Sequence, residues 1–241
     1  MAGLPIVSPH GHVDARVLAD DEPFTDPASL FVQPDHYVTR MLRAHGVSYD
    51  DLGIGGRKDV DPRDVWRIFC SHWWAFRGTP SRYWLESELV EVFGVSLQPS
   101  AENADALYDQ ISARLAEKAF RPRALYDRFR LEFLATTDDP SDDLAAHRRL
   151  AEDPTWTGRV VPTFRPDAYL DPARPEWRDK IRLLGEVSGL DTTTYAGYIE
   201  ALESRRAYFK QHGATASDHG ALDAGSEPLA PVEAERLYAR A

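Results

Sequence analysis

Short β-favouring runs alternate with helical patterns along this chain, and each run ends in ionisable residues; no other feature narrows the fold so far. Ile6-Val7 leads into Ser8-Pro9-His10-Gly11-His12-Val13, the run 131–137 into Asp138-Asp139-Pro140, the run 159–164 into Arg165-Pro166-Asp167, and the weaker run 214–217 into Asp218-His219-Gly220. Such alternation predicts βα units and a parallel sheet, an α/β fold of about four units. The first strand and its loop occupy 1–19, a largely helical insertion 20–130, and units two to four 131–241. No shorter internal repeat or low-complexity tract is visible.

Within the insertion, Asp26-Pro27 pairs an N-cap aspartate with a proline at the first helical position. Asp35 caps a helix over 36–45, with Val38, Met41, Leu42 and His45 at helical spacing and Gly46 as its stop. Residues 14–22 read as acidic and irregular. Leu52-Gly53-Ile54-Gly55-Gly56 resembles a phosphate loop only superficially, because no Gly-Lys-Ser/Thr follows, and it reads as a connector. From Asp61-Pro62 to Phe129 the pattern is helical, with faces at Val65, Phe69 and His72, at Leu85, Leu89 and Phe93, and at Leu107, Ile111 and Leu115. The aromatics Trp66, Phe69, Trp73, Trp74, Phe76, Tyr83 and Trp84 read as core rather than as a ligand box. Further on, Asp138-Asp139-Pro140 is expected to cap a helix through Glu152. Helices follow over 176–187 and 194–212, and a last one begins at Pro231.

Composition excludes several function classes. Lys and Arg total 28 against 39 Asp and Glu, a net charge of −11, and no basic stripe with interleaved aromatics stands out, which argues against nucleic acid. An anionic small molecule would need locally placed arginines to offset that charge. The one cysteine, Cys70, cannot form an intrachain disulfide, so a reducing cytoplasm is the expected compartment. Neither a signal peptide nor a membrane-spanning run is expected.

If Ile6 and Val7 lie in a strand, its two-residue period sends His10 and His12 to one side and Gly11 to the other. Two imidazoles on one face can grip a divalent metal, although a catalytic site also needs a carboxylate and an open position. In a βα barrel the carboxyl ends of the strands carry the chemistry, and here His10 and His12, Asp138 and Asp139, Arg165, and Asp218 and His219 all fall at those ends. Each also has a plain structural reading: solvated histidines near a terminus, an arginine paired with Asp167, an aspartate shaping a turn. His36 could serve only to begin its helix, and Tyr37 could be core.

Ser8-Pro9-His10-Gly11-His12-Val13, Pro34-Asp35-His36-Tyr37-Val38, Leu134-Ala135-Thr136-Thr137-Asp138-Asp139-Pro140, Pro162-Thr163-Phe164-Arg165-Pro166-Asp167 and Ser217-Asp218-His219-Gly220 run in one order across nearly the whole chain. In this they resemble the uronate (glucuronate) isomerases, a divergent branch of the metal-dependent amidohydrolase superfamily. The resemblance implies a (β/α)8 TIM-type barrel with a helical insertion after strand one. It implies conversion of D-glucuronate to D-fructuronate and of D-galacturonate to D-tagaturonate, in hexuronate catabolism, with no organic cofactor. By that likeness His10 and His12 are metal ligands for zinc, or alternatively manganese; His36 and Arg165 bind substrate; and Tyr37 and Asp218 are catalytic.

Shifting a carbonyl from C1 to C2 takes a proton from C2 and returns one to C1 through an enediol, so a base, an acid and a stabiliser of the oxyanion are needed. A divalent metal can polarise the carbonyl, and the arginine fork suits a carboxylate. The family also places an aspartate on strand eight, and no residue here takes that role. The expectation is therefore an incomplete barrel, with unpaired edges that favour self-association, and an isolated chain of little or no activity. Two rival expectations are a hydrolase of the same superfamily and a non-catalytic helical interaction module formed by 20–130.

Overall fold

β1 (Ile6–Ser8), β2 (Leu131–Ala135) and β3 (Val160–Val161) form a parallel sheet in that order. Ser8 pairs with Leu134, Leu134 with Val160, and Ala135 with Val161. The structure, a computed structural model, describes residues 3–57, 59–220 and 227–241. β2 and β3 are shorter than the runs 131–137 and 159–164 that announce them. Pro162 has no N–H to donate and interrupts the third, after which Phe164 resumes the ladder as single bridges to Asp138 and to Ser217. The expected fourth strand reduces to that one bridge at Ser217. Its first residue is committed elsewhere, since Ala214 N–H donates to Phe209 O at the end of a helix.

The chain divides into two units, one made of the residues up to Asp21 with Tyr126–Ala241, the other Glu22–Leu125. In the first, α1 (Ala15–Asp20) corrects the irregular reading of 14–22: Asp14 caps it by accepting Arg16 N–H at 2.9 Å, and Ala15, Leu18 and Ala19 are buried. Six residues are too few to display a helical period, which is why the pattern hid it.

The second unit is helical, and its starts follow the caps. Asp26 accepts from Ser29 N–H to open α2 (Pro27–Phe31), and Asp35 accepts from Tyr37 and Val38 to open α3 (His36–Ala44). Asp61 opens α4 (Pro62–Ser71), and Thr79 opens α5 (Pro80–Ser87), which runs into a π turn at Glu88–Val92. α6 (Ala104–Leu115) follows, and α7 (Pro122–Arg128) then leads along the chain to β2. Val65 and Phe69, then Leu85, Leu89 and Phe93, then Leu107, Ile111 and Leu115 are all buried in one core with Trp66 and Phe76.

The aromatic cluster divides, against the expectation that all seven are core. Trp66, Phe69, Trp73 and Phe76 are buried, whereas Trp74, Tyr83 and Trp84 are 62%, 71% and 51% exposed. The cause at Trp74 is a 3-10 turn over Trp73–Phe76: three residues per turn set Trp73 and Phe76 on the same side and turn Trp74 outward. Among the described residues no helix is long and apolar enough to cross a membrane.

Cys70 lies in this core at 1% exposure, and burial pushes its thiol pKa up to about 12. Because the thiolate is the nucleophile, iodoacetamide at pH 8 is expected to leave Cys70 unmodified in the native protein and to label it in 6 M guanidinium (about 6 M being denaturing for most domains). Native labelling at the rate of a free thiol would show that this core opens.

Back in the first unit, the helix expected from Asp138-Asp139-Pro140 begins later, as α8 (Ala145–Glu152). The Asp139 carboxylate is engaged in a turn with Ser141, and Leu144 sits at φ 54°, a left-handed value no helix interior accepts. α9 (Asp167–Leu170) follows β3. α10 (Trp177–Ser188) ends on left-handed Gly189, and α11 (Tyr195–Gln211) starts at the Thr194 cap. Trp177, Ile181 and Leu184 bury their shared face against Tyr169, Tyr198 and Ala201. α12 (Pro231–Tyr238) is tied down by Tyr238 Oη donating to Thr192 O at 2.6 Å.

Candidate active site at the strand ends

His10 and His12 lie just past β1 rather than within it, with ring centroids 4.9 Å apart at 86°. Gly11 between them packs against the neighbouring strand: a Cβ there would stand 3.1 Å from Ala135 O, closer than side-chain carbons ordinarily approach a carbonyl oxygen. Thr137 Oγ1 donates to Gly11 O at 2.8 Å and ties this loop to the end of β2. The glycine therefore lets the two histidines sit close over the sheet.

Arg165 follows β3 and is gripped from two sides. Its Nε donates to Asp167 Oδ2 at 2.7 Å, and its Nη1 lies 3.1 Å from Asp218 Oδ2. The Asp218 contact is an ion pair rather than a directed hydrogen bond, and that buried oxygen has no hydrogen-bond partner among the described residues. His10 Nδ1 stands 4.0 Å from the same oxygen. The structure thus brings His10, Arg165 and Asp218 together, with His12 beside His10.

Electrostatics favour the charged pair at Arg165. Its hydrogen bond to Asp167, helped by the nearby Asp218 charge, raises the guanidinium above its ordinary value. Burial pushes the Asp167 carboxyl up, but the Arg165 hydrogen bond, the Gly220 N–H and the Arg165 and His219 charges outweigh it and hold the carboxyl below the usual range. Gly220 N–H donates to Asp167 Oδ2 at 2.8 Å, and a Cβ at 220 would fall 2.9 Å from Arg165 Nη2. Asp167, expected only as a plain ion-pair partner of Arg165, and Gly220, given no role in the sequence, both join this cluster. Their signal was adjacency to Arg165 and Asp218 at strand ends.

A cleft of about 360 Å³ opens beside this cluster, lined by Thr137, Asp138, Asp139, Arg165, Asp167 and Arg174 among others. Asp139 accepts from Lys180 Nζ at 2.6 Å and from Tyr169 Oη at 2.5 Å. Burial raises its carboxyl, and the bonds from Lys180, Tyr169 and Ser141 prevail to bring it below its ordinary 3.8. As pH falls the unfolded chain takes up this proton first, so the stabilisation is complete above the unfolded value and is lost as pH drops through the lower folded one. Asp139→Asn is expected to flatten the acid limb of a urea-stability profile below about pH 4. A limb as steep as the wild type's would assign acid sensitivity elsewhere.

His36 and Tyr37 belong to the other unit, in the first turn of α3. Their rings are 4.1 Å apart, and Tyr37 is 56% exposed, with Trp84 at 6.5 Å, so it is not core.

As a metal site the described residues are incomplete. Zinc takes at least three protein ligands, and no group of three or more His, Cys, Asp or Glu among the described residues is placed to hold an ion. Asp218, the carboxylate next to His10, is already committed to Arg165. His10 and His12 offer two donors.

Parallel βα units with a basic residue, carboxylates and imidazoles gathered beyond the strand ends define an α/β chain of the strand-end-site class. The family model for glucuronate isomerase matches residues 1–241. The chain belongs to the glucuronate isomerase family. It is 54% identical to the uronate isomerase of Cutibacterium acnes over 93% of this chain and 48% of that protein, and 49% identical to that of Rhizorhabdus wittichii over 100% and 51%. The crystal structure of glucuronate isomerase from Caulobacter crescentus superposes with a TM-score of 0.93 at 44% identity, covering 98% of this chain and 50% of that one. The chain spans about half the length of the curated relatives it matches.

Proposed function

We propose that the strand-end cluster is part of the substrate site of a cytoplasmic uronate isomerase that converts D-glucuronate to D-fructuronate and D-galacturonate to D-tagaturonate. The observation that carries the reading is Arg165, a cation held rigidly at the rim of a cleft in a protein of net charge −11. The N–H groups of its planar fork that Asp167 and Asp218 leave free suit the carboxylate that marks a uronate, and with Arg174 in the same cleft it adds positive charge to an acidic protein. Asp218, ion-paired to that arginine and next to His10, can orient a substrate hydroxyl or carry a proton. His36 and Tyr37, exposed on α3, offer an imidazole to bind a hydroxyl and a phenol to exchange a proton at the reacting oxygen.

In this reading the parallel units belong to a (β/α)8 barrel of the amidohydrolase superfamily. His10 and His12 contribute two of the ligands of a divalent ion, zinc or manganese; the described residues do not complete its set, and no proton step is assigned to it. The test is the purified 241-residue chain titrated with D-glucuronate and assayed with added zinc or manganese. Binding with little or no turnover is expected. Absence of uronate binding overturns the site, and turnover that disappears on His12→Ala overturns its incompleteness.

A further inference from the structure

Beneath the strand ends lies a buried polar chain that the functional reading does not use. His147 on α8 is 5% exposed, and its Nε2 lies 2.8 Å from Thr136 Oγ1. That hydroxyl is in turn 2.6 Å from Asp138 Oδ2. Thr136 has one hydrogen to give, and the carboxylate is its shortest acceptor; the hydroxyl oxygen is then left to accept from His147 Nε2–H. His147 Nδ1 is buried with no partner among the described residues, which suits a bare lone pair better than an N–H. Burial lowers the imidazole pKa and so favours the neutral form this chain requires, with the nearby carboxylates opposing it.

Asp138 is where the chain meets the site. Its Oδ2 accepts from Thr163 N–H at 3.1 Å, its own N–H donates to Thr163 O at 3.0 Å, and its carbonyl accepts from Arg165 N–H at 3.1 Å. Asp138 also bridges Phe164, and Phe164 bridges Ser217, with Asp218 N–H donating to Phe164 O at 3.1 Å. A shift of Asp138 therefore moves Arg165 directly, and Asp218 at one remove. The consecutive bonds from Nε2 through Thr136 Oγ1 to Asp138 Oδ2, out of reach of water, hold a geometry that a single surface ion pair cannot.

We propose that His147 is a positioning residue of the strand-end site, acting through Thr136 and Asp138 to aim Arg165 and Asp218 at the substrate. The proposal rests on that cluster being a substrate site, and on nothing finer about which uronate it takes.

The test uses the whole 241-residue chain and reads the exchange of the Arg165 Nε–H with water by NMR, without ligand and then with D-glucuronate. Arg205, whose Nε donates to Pro140 O at 2.7 Å, is the internal reference. His147→Leu and Thr136→Val are each expected to speed Arg165 exchange and to weaken D-glucuronate binding by on the order of tenfold, with Arg205 unchanged. His147→Gln, whose amide N–H can replace Nε2–H, is expected to stay near the wild type in both readouts. A folded His147→Leu or Thr136→Val with Arg165 exchange unaltered overturns the proposal, as does a His147→Gln protein no better than His147→Leu. Loss of the fold in both disruptive variants also counts against it, because the group would then hold the unit together rather than aim an arginine. Wild-type protein that fails to bind D-glucuronate sinks the functional reading alone, since Arg165 exchange in the free chain still reports on positioning.

Discussion

Arg165→Met is expected to weaken D-glucuronate binding by roughly 10- to 150-fold, the equivalent of about 1.5–3 kcal/mol for a charge-assisted hydrogen bond. The substitution keeps the length of an aliphatic stem and removes the fork. Asp167 loses the Arg165 Nε–H but retains the Gly220 N–H at 2.8 Å, whereas Asp218 Oδ2 loses the cation at 3.1 Å, so the local negative charge rises at the proposed binding cleft. Arg165→Lys restores charge without the planar pair of donors and is expected to recover only part of the affinity. Isothermal titration of the three proteins decides the matter. Equal affinities would show that the carboxylate is recognised elsewhere.

The largest effect on stability is expected at Trp66. Its ring is fully buried, 5.2 Å from Phe69 and 6.3 Å from Phe31, and its Nε1 donates to Ala104 O at 3.0 Å across to α6. Trp66→Ala empties that volume, a loss of about 3–5 kcal/mol from the cavity alone. Loss of the Nε1–H bond to Ala104 O, a carbonyl that keeps its donor within α6, adds about 0.5–1.5 kcal/mol. Since whole domains are stable by only about 5–15 kcal/mol, the helical unit is expected to lose its cooperative transition. Trp66→Phe keeps most of the packing and loses the hydrogen bond, so an intermediate midpoint in urea is expected. A Trp66→Ala protein that melts like the wild type would mean this helical core does not depend on Trp66.

Helix starts were legible wherever a side chain both names the cap and makes it. Asp26-Pro27, Asp35 and Asp61-Pro62 start helices where their residue types place them, because the capping bonds reach only two or three residues along the chain. Apolar faces such as Leu107, Ile111 and Leu115 were legible for the same reason of local spacing. What failed to show were features set by distant partners. Asp139 reads as a cap but is drawn to Lys180 and Tyr169, and the helix begins only at Ala145. Trp74, Tyr83 and Trp84 have the composition of core and lie in water.

The candidate site shows the same division. The imidazoles, the arginine and the aspartate were placed at strand ends by the alternation of β and α patterns, a property of the chain taken in order. The Arg165–Asp167 pair is local, two positions apart, but that Arg165 Nη1 meets Asp218, that Gly220 N–H reaches Asp167 and that His147 lies against Thr136 depends on residues 11 to 53 positions apart meeting in space. Sequence alone determined which chemical groups gather at the mouth of the sheet, because strand period and helix caps are local. Only the tertiary structure decided which of them are paired, because ion pairs and buried hydrogen bonds are chosen by distance in space, which chain order does not encode.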